Sequence, residues 1–205
     1  RALNLIKIDN IKTPKIIEVN YDELWYTQLF YELVPFNRYM IVNGNFFIFD
    51  KKILVLFYKF GFFLADLHKK RGRLHGDLNR KNILFNPKGE WIFVCDPASV
   101  EKYINERYTF DLFRVIISIY SYNLFVRLLL GRKDEIITNF INGYCSIGGK
   151  IDQEDFKKDL VRYLDAYFPR RQKGLLSYLK YCVMNILNKR FTKNIKKNKF
   201  KWLNE

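Results

Sequence analysis

Cysteine and histidine are scarce in this chain. Its three cysteines, Cys95, Cys145 and Cys182, are too few and too far apart for a disulfide framework or a metal knuckle. A reducing compartment fits that usage. His68 and His75 are the only histidines, and they match no zinc-ligand spacing with those cysteines, so a metal would have to be held by oxygen. Long apolar runs are missing too: the longest, residues 115–126 between Arg114 and Arg127, falls short of the ~20 residues of a membrane-spanning helix. It reads as a buried core helix. No secretory leader, internal repeat or Pro/Gly/Ser-rich linker interrupts the 205 residues, and the chain opens on Arg1 without an initiator Met, as a piece of a longer protein would. Acidic residues are outnumbered, 21 against 36 Lys and Arg, for a net charge of +15. That balance favours anionic partners such as nucleotide, phosphorylated glycan, nucleic acid or a membrane face. The Lys- and Asn-rich composition of an AT-rich genome accounts for it equally well.

Large apolar groups are abundant. Hydrophobic residues make up 49 % and aromatics 18 % of the chain, enough for an ordinary core and too many for a disordered one. The aromatics are spread over the whole length, as core residues are, and do not form a base-stacking platform. β-Branched and aromatic residues around Asn20, Tyr21 and Asp22 predict two antiparallel strands over 15–34. The Asn43-Gly44 pair between RYMIV and NFFIF predicts a second hairpin. Over 51–70 the residues Leu54, Phe57, Tyr58, Phe62, Ala65 and Leu67 roughly follow a helical stripe, broken by Gly61. NILFN (82–86) and WIFVC (91–95) read as short strands joined by Pro87, Lys88 and Gly89. Helical patterns follow at about 110–130, 134–145, 153–167 and 172–190. The chain is strand-rich first and helical afterwards, an α+β class.

The informative segment is LHKKRGRLHGDLNRKNILFNPKGEWIFVCDPAS, residues 67–99. Asp77 and Asn82 are five residues apart on one loop, and Asp96 ends the hairpin that follows. Phosphoryl transfer needs a carboxylate beside the attacking hydroxyl and oxygen ligands from two chain segments to hold magnesium against phosphates. This spacing can bring those groups to one point. The pattern resembles the catalytic core of the protein-kinase-like superfamily, with His75-Gly76-Asp77 in place of His-Arg-Asp and Asp96 in place of the Asp of Asp-Phe-Gly. The His-Gly-Asp-Leu variant is similar to the aminoglycoside phosphotransferase and lipopolysaccharide kinase branches. The resemblance carries motifs over about residues 10–130 and only a helical pattern beyond.

The resemblance implies a reduced N-terminal β lobe and hinge over 1–35 and a mainly helical C-terminal lobe over 36–205. It implies an ATP- and Mg²⁺-dependent kinase acting on a hydroxyl of a small molecule, sugar or glycan. Asp77 would be the catalytic base or hydroxyl-orienting group, with Asn82 and Asp96 as metal ligands. Glu32 and Val34 of the hinge would meet adenine through their backbone, and Leu84 would lie beneath the base. His75 would support the loop, and Asp111 would either accept its backbone N–H groups or serve as an ordinary N-cap. His68 reads as packed or capping, and Cys95 as packing at its strand end. Asp96 and Asp111 are only 15 positions apart, leaving little room for a peptide platform or an activation segment.

Two departures keep other classes open. Asn79 stands where protein kinases carry a phosphate-facing Lys, and Arg80 and Lys81 read as solvated. No Gly-rich loop or Val-Ala-Ile-Lys strand precedes His75, so the ATP-binding Lys and its Glu partner lie upstream of Arg1 or are absent. A kinase-like binding module that has lost catalysis, and an atypical protein Ser/Thr kinase, are the alternatives. Specific nucleic-acid binding rests on charge alone and is not expected. The basic tail RFTKNIKKNKFKW, with Phe191, Ile195, Phe200 and Trp202 interleaved, reads either as a solvated terminus or as a peripheral contact with an anionic membrane face, in a cytoplasmic protein.

Overall fold

The computed structural model describes residues 11–13, 15–20, 22–23, 25–28, 30–35, 39, 51–79, 81–95, 108–120, 133–149, 151–167, 189–190 and 192–197. It is an α+β structure with a small mixed sheet and several helices. The chain divides into two compact units, Arg1–Gly149 and Lys150–Glu205. The lobe boundary expected after residue 35 lies inside the first.

The first unit begins with β1 (Ile11–Lys12), β2 (Ile16–Asn20), β3 (Trp25–Gln28) and β4 (Val34–Pro35). β2 and β3 pair antiparallel, as the residues around Asn20 predict. The turn closes because the Asn20 carboxamide oxygen accepts the N–H groups of Asp22 and Glu23, both at 3.0 Å. The hairpin expected at Asn43-Gly44 lies outside the described residues.

Helix α1 (Lys51–Arg71) follows. It bears out the helix expected over 51–70 and runs on through Gly61, where the apolar stripe is broken. Of the expected stripe Phe57, Ala65 and Leu67 are buried, Leu54 and Phe62 half-buried and Tyr58 exposed, while Ile53, Leu56, Phe60, Phe63 and Leu64 are buried beside it. A helix enclosed on several sides buries more than one stripe, so a single periodicity does not locate its core face. Strands β5 (Ile83–Phe85) and β6 (Ile92–Val94) form the predicted hairpin. The Asn86 carboxamide oxygen ties its turn, accepting from Glu90 N–H at 2.6 Å and Trp91 N–H at 3.1 Å. Helices α2 (Thr109–Tyr120) and α3 (Lys133–Cys145) complete the described elements of the unit.

One sheet has the order β1-β6-β5-β4. β1 joins β6 in parallel, with Ile11 opposite Ile92, and β4 joins β5 antiparallel, with Val34 opposite Phe85. The segment before residue 36 therefore flanks the 83–94 hairpin on both sides. The Lys12 ammonium, 4.1 Å from the Trp91 ring centroid, adds a cation–π contact to that junction. Phe57 links sheet to helices: its ring centroid lies 6.2 Å from Phe85 and 6.3 Å from Phe60, which in turn lies 5.5 Å from Phe140 on α3. All four rings are almost fully buried. Each contributes about 1.5–3 kcal/mol by leaving water.

In the second unit Asp152 caps α4 (Gln153–Tyr167), accepting the Asp155 N–H on its side chain at 2.8 Å. Phe156 and Leu160, one turn apart, are buried. Residues 189–190 and 192–196 are helical. Ile195 is fully buried, so this apolar group of the tail is not offered to a membrane; Phe191, Phe200 and Trp202 lie outside the described residues. Among the described residues no helix is long and apolar enough to cross a membrane.

Candidate functional site

The site is the loop 75–82 between α1 and β5. Its sequence, HGDLNRKN, offers short polar side chains that bond to nearby backbone in place of a helix or strand ladder. Asn79 and Asn82 do so. The Asn79 carboxamide oxygen accepts from Lys81 N–H at 2.8 Å, and the Asn82 amide nitrogen donates to the Asp77 carbonyl at 2.9 Å. Gly76 supplies the left-handed turn, at φ 78°, that an L side chain rarely adopts.

Helix α2 acts as a template for this loop. Asp111, Arg114 and Ser118 recur at helical spacing, so they share one face. Asp111 is fully buried and accepts from His75 N–H at 2.7 Å on one oxygen and from Gly76 N–H at 2.8 Å on the other. The Arg114 guanidinium donates to Asp77 Oδ1, and the Ser118 hydroxyl donates to the Leu78 carbonyl at 3.3 Å. Four consecutive loop residues are thus each held by this face. Asp111 lies in the first turn of its helix, yet its partners are the loop's backbone groups.

Behind Asp111 the packed reading of His68 holds. Its ring is buried, stacks on Tyr108 at 4.7 Å between centroids, and places Nε2 3.0 Å from Asp111 Oδ2 and Nδ1 3.0 Å from the Tyr144 hydroxyl. Burial, reinforced by Cys145, Asp111 and Tyr108, pushes the Tyr144 phenol well above its usual range, so its O–H keeps its proton to donate. With Nε2–H donating to Asp111 and Nδ1 accepting from Tyr144, the neutral imidazole satisfies both bonds.

Asp77 is the exposed end of this framework, with about a third of its side chain open (32 %). Its Oδ1 accepts from Arg114 and, at 2.9 Å, from the Asn79 amide; its Oδ2 accepts from the Asn82 amide at 3.1 Å. Burial raises the carboxyl pKa, but the Asn79 hydrogen bond, the Arg114 guanidinium and the nearby His75 outweigh it and hold the pKa below the ordinary 3.8. The group is an anion at neutral pH. That suits it to accept or orient a hydroxyl proton and makes it a weak base in the ground state.

The groups expected to meet metal and nucleotide lie only partly within the described residues. With its nitrogen committed to Asp77, Asn82 has its oxygen as the atom that could meet a hard cation. The β6 end lies beside it: Cys95, half-buried, donates its N–H to the Asn82 carbonyl at 3.2 Å. Asp96, the next residue, lies outside the described residues. Among the described residues no group of three or more His, Cys, Asp or Glu could hold a metal. Glu32 is exposed and Val34 half-buried, and among the described strands β4 ends the sheet beside β5. Leu84 stands opposite Pro35 on that strand pair and is half-buried between the buried Ile83 and Phe85. The buried His75 joins the framework through its backbone N–H.

Arg114 and Tyr144 escaped the sequence reading. A lone Arg inside the apolar TFDLFRVIISIY is the available signal, since such a charge needs a partner when it packs. Nothing local marks Tyr144. Compared with protein families, characterised proteins and solved structures, the chain matches none.

Proposed function

We propose that the chain is a phosphotransferase that moves the terminal phosphoryl group of ATP to a hydroxyl of a sugar, glycan or other small acceptor. The observation that carries this reading is the Asp77 carboxylate: ionised, partly exposed, and held by Asn82 and Arg114 on a loop that a buried Asp111 grips by its backbone. In this reading Asp77 Oδ2 receives the hydroxyl hydrogen bond and aims the oxygen at phosphorus. Asn82 and Asp96 are the groups that would hold magnesium, which supplies charge neutralisation on the phosphates when bound. The backbone of Glu32 and Val34 and the apolar Leu84 are the groups that would receive a planar base. The test is transfer from labelled ATP to a panel of sugars, glycans and peptides. Transfer to a hydroxylated small acceptor that disappears in Asp77→Asn supports the reading. Transfer to peptides alone refutes the acceptor class, and no transfer to any acceptor refutes the activity.

A further inference from the structure

Asp77 has two carboxylate oxygens, and the chain treats them differently. A carboxylate offers about two lone-pair directions on each oxygen. Oδ1 fills both, with the Asn79 amide at 2.9 Å and the Arg114 guanidinium. Oδ2 fills one, with the Asn82 amide at 3.1 Å. Asn79 and Asn82 belong to the same short loop as Asp77 and move with it. Arg114 does not: it is anchored on α2 one turn beyond Asp111, and only 15 % of its side chain is exposed. A guanidinium is a rigid fork, so a contact made from a packed helix fixes the direction of the group it holds. Asp111 and Ser118, its neighbours on that face, hold loop backbone, whereas Arg114 holds the functional side chain.

We propose that Arg114 is a positioning residue that saturates Oδ1 of Asp77 and thereby turns Oδ2 toward the acceptor hydroxyl. The inference rests on the phosphotransferase reading and adds to it which oxygen works and what aims it. Arg114 also places a cation beside the reacting carboxylate, where the loop itself contributes the neutral Asn79. Lys81, the described cation of the loop, has its side chain exposed.

The experiment compares wild type, Asp77→Asn, Arg114→Ala, Arg114→Gln and Arg114→Lys in three readouts: acceptor phosphorylation, thermal unfolding, and the Asp77 ¹³Cγ resonance of the nucleotide-free protein. The expected result is a loss of about 10²-fold in kcat for Arg114→Ala with the acceptor KM changed less than threefold, the pattern of a lost orientation and not of lost binding. Arg114→Lys should recover at least tenfold of that loss, and added guanidinium should rescue Arg114→Ala but not Asp77→Asn. The Asp77 resonance should move in Arg114→Ala while the unfolding midpoint stays near wild type. If Arg114→Ala fails to fold, Arg114→Gln, which keeps the stem and drops the charge, must show the same kcat loss. An active wild type with Arg114→Ala or Arg114→Gln within twofold of its kcat, or an unmoved Asp77 resonance, overturns the positioning role alone. A wild type inert on every acceptor overturns the phosphotransferase reading and this inference with it.

Discussion

Helices α1 and α3 cross at a pair of glycines, and the crossing predicts a specific failure. A Cβ built on Gly61 falls 1.9 Å from the Phe140 carbonyl oxygen and 2.8 Å from the Tyr144 nitrogen; one built on Gly143 falls 1.9 Å from the Tyr58 carbonyl oxygen. The obstacles are backbone atoms in both cases, so no side chain can swing away. Real Cβ contacts stay beyond 3.0 Å, so Gly61→Ala must part the helices by at least about 1.1 Å. A gap of that size forfeits roughly half of each dispersion contact across the interface. The Phe60–Phe140 pair and the His68–Tyr144 hydrogen bond both span it. Overpacking costs about 3 kcal/mol at the upper end of its range, and a stretched hydrogen bond about 1 kcal/mol. Better helix propensity returns about 1 kcal/mol, leaving a net loss of about 3 kcal/mol for either glycine. Because one parting relieves both clashes, the double variant should lose about 4 kcal/mol, well short of the additive ~6 kcal/mol. Urea unfolding followed by circular dichroism and tryptophan fluorescence gives these values. A Gly61→Ala protein within 1 kcal/mol of wild type, or an additive double variant, would refute the reasoning.

Other outcomes are expected from the site. Asp111→Ala leaves two loop N–H groups and His68 without their acceptor and should destabilise the fold by about 3–5 kcal/mol, with Asp111→Asn near half of that; equal stability of the three proteins in urea would sink the clamp. Asp77→Asn should lower turnover by roughly 10²–10⁴-fold with Mg-ATP affinity nearly unchanged, so near-normal turnover removes Asp77 from the chemistry. Since the folded state holds the Asp77 pKa below 3.8, its contribution to stability is complete above that value and disappears as pH falls through the folded one. The stability difference between wild type and Asp77→Asn should accordingly shrink only in that acid window, and a difference that grows there contradicts the sign. Ile195→Ala, which empties a fully buried position, should cost about 2–4 kcal/mol, and an unchanged unfolding midpoint would mean the tail is solvated after all.

Local chemistry was legible in the chain alone. Asn20 marked its turn, and Pro87, Lys88 and Gly89 marked theirs, because a short carboxamide bonds to backbone a few residues on, as Asn20 and Asn86 both do, whatever the rest of the molecule does. The spans 134–145 and 153–167 were readable from helical periodicity, and Asp77 with Asn82 from a spacing that a five-residue loop can close by itself. Tertiary structure decided the rest. Gly61 reads as a gap in the apolar stripe, yet it is where another helix's backbone comes close, a fact about α3 and not about α1. Arg114 reaches Asp77 across 37 residues and Tyr144 reaches His68 across 76, separations over which no sequence period carries information. Ile195 looked like one apolar group among the tail's lysines until the fold buried it. Turns and loop contacts are closed by the few residues that make them; which face of a helix meets which loop is set by how whole elements pack, and that depends on every layer of the core at once.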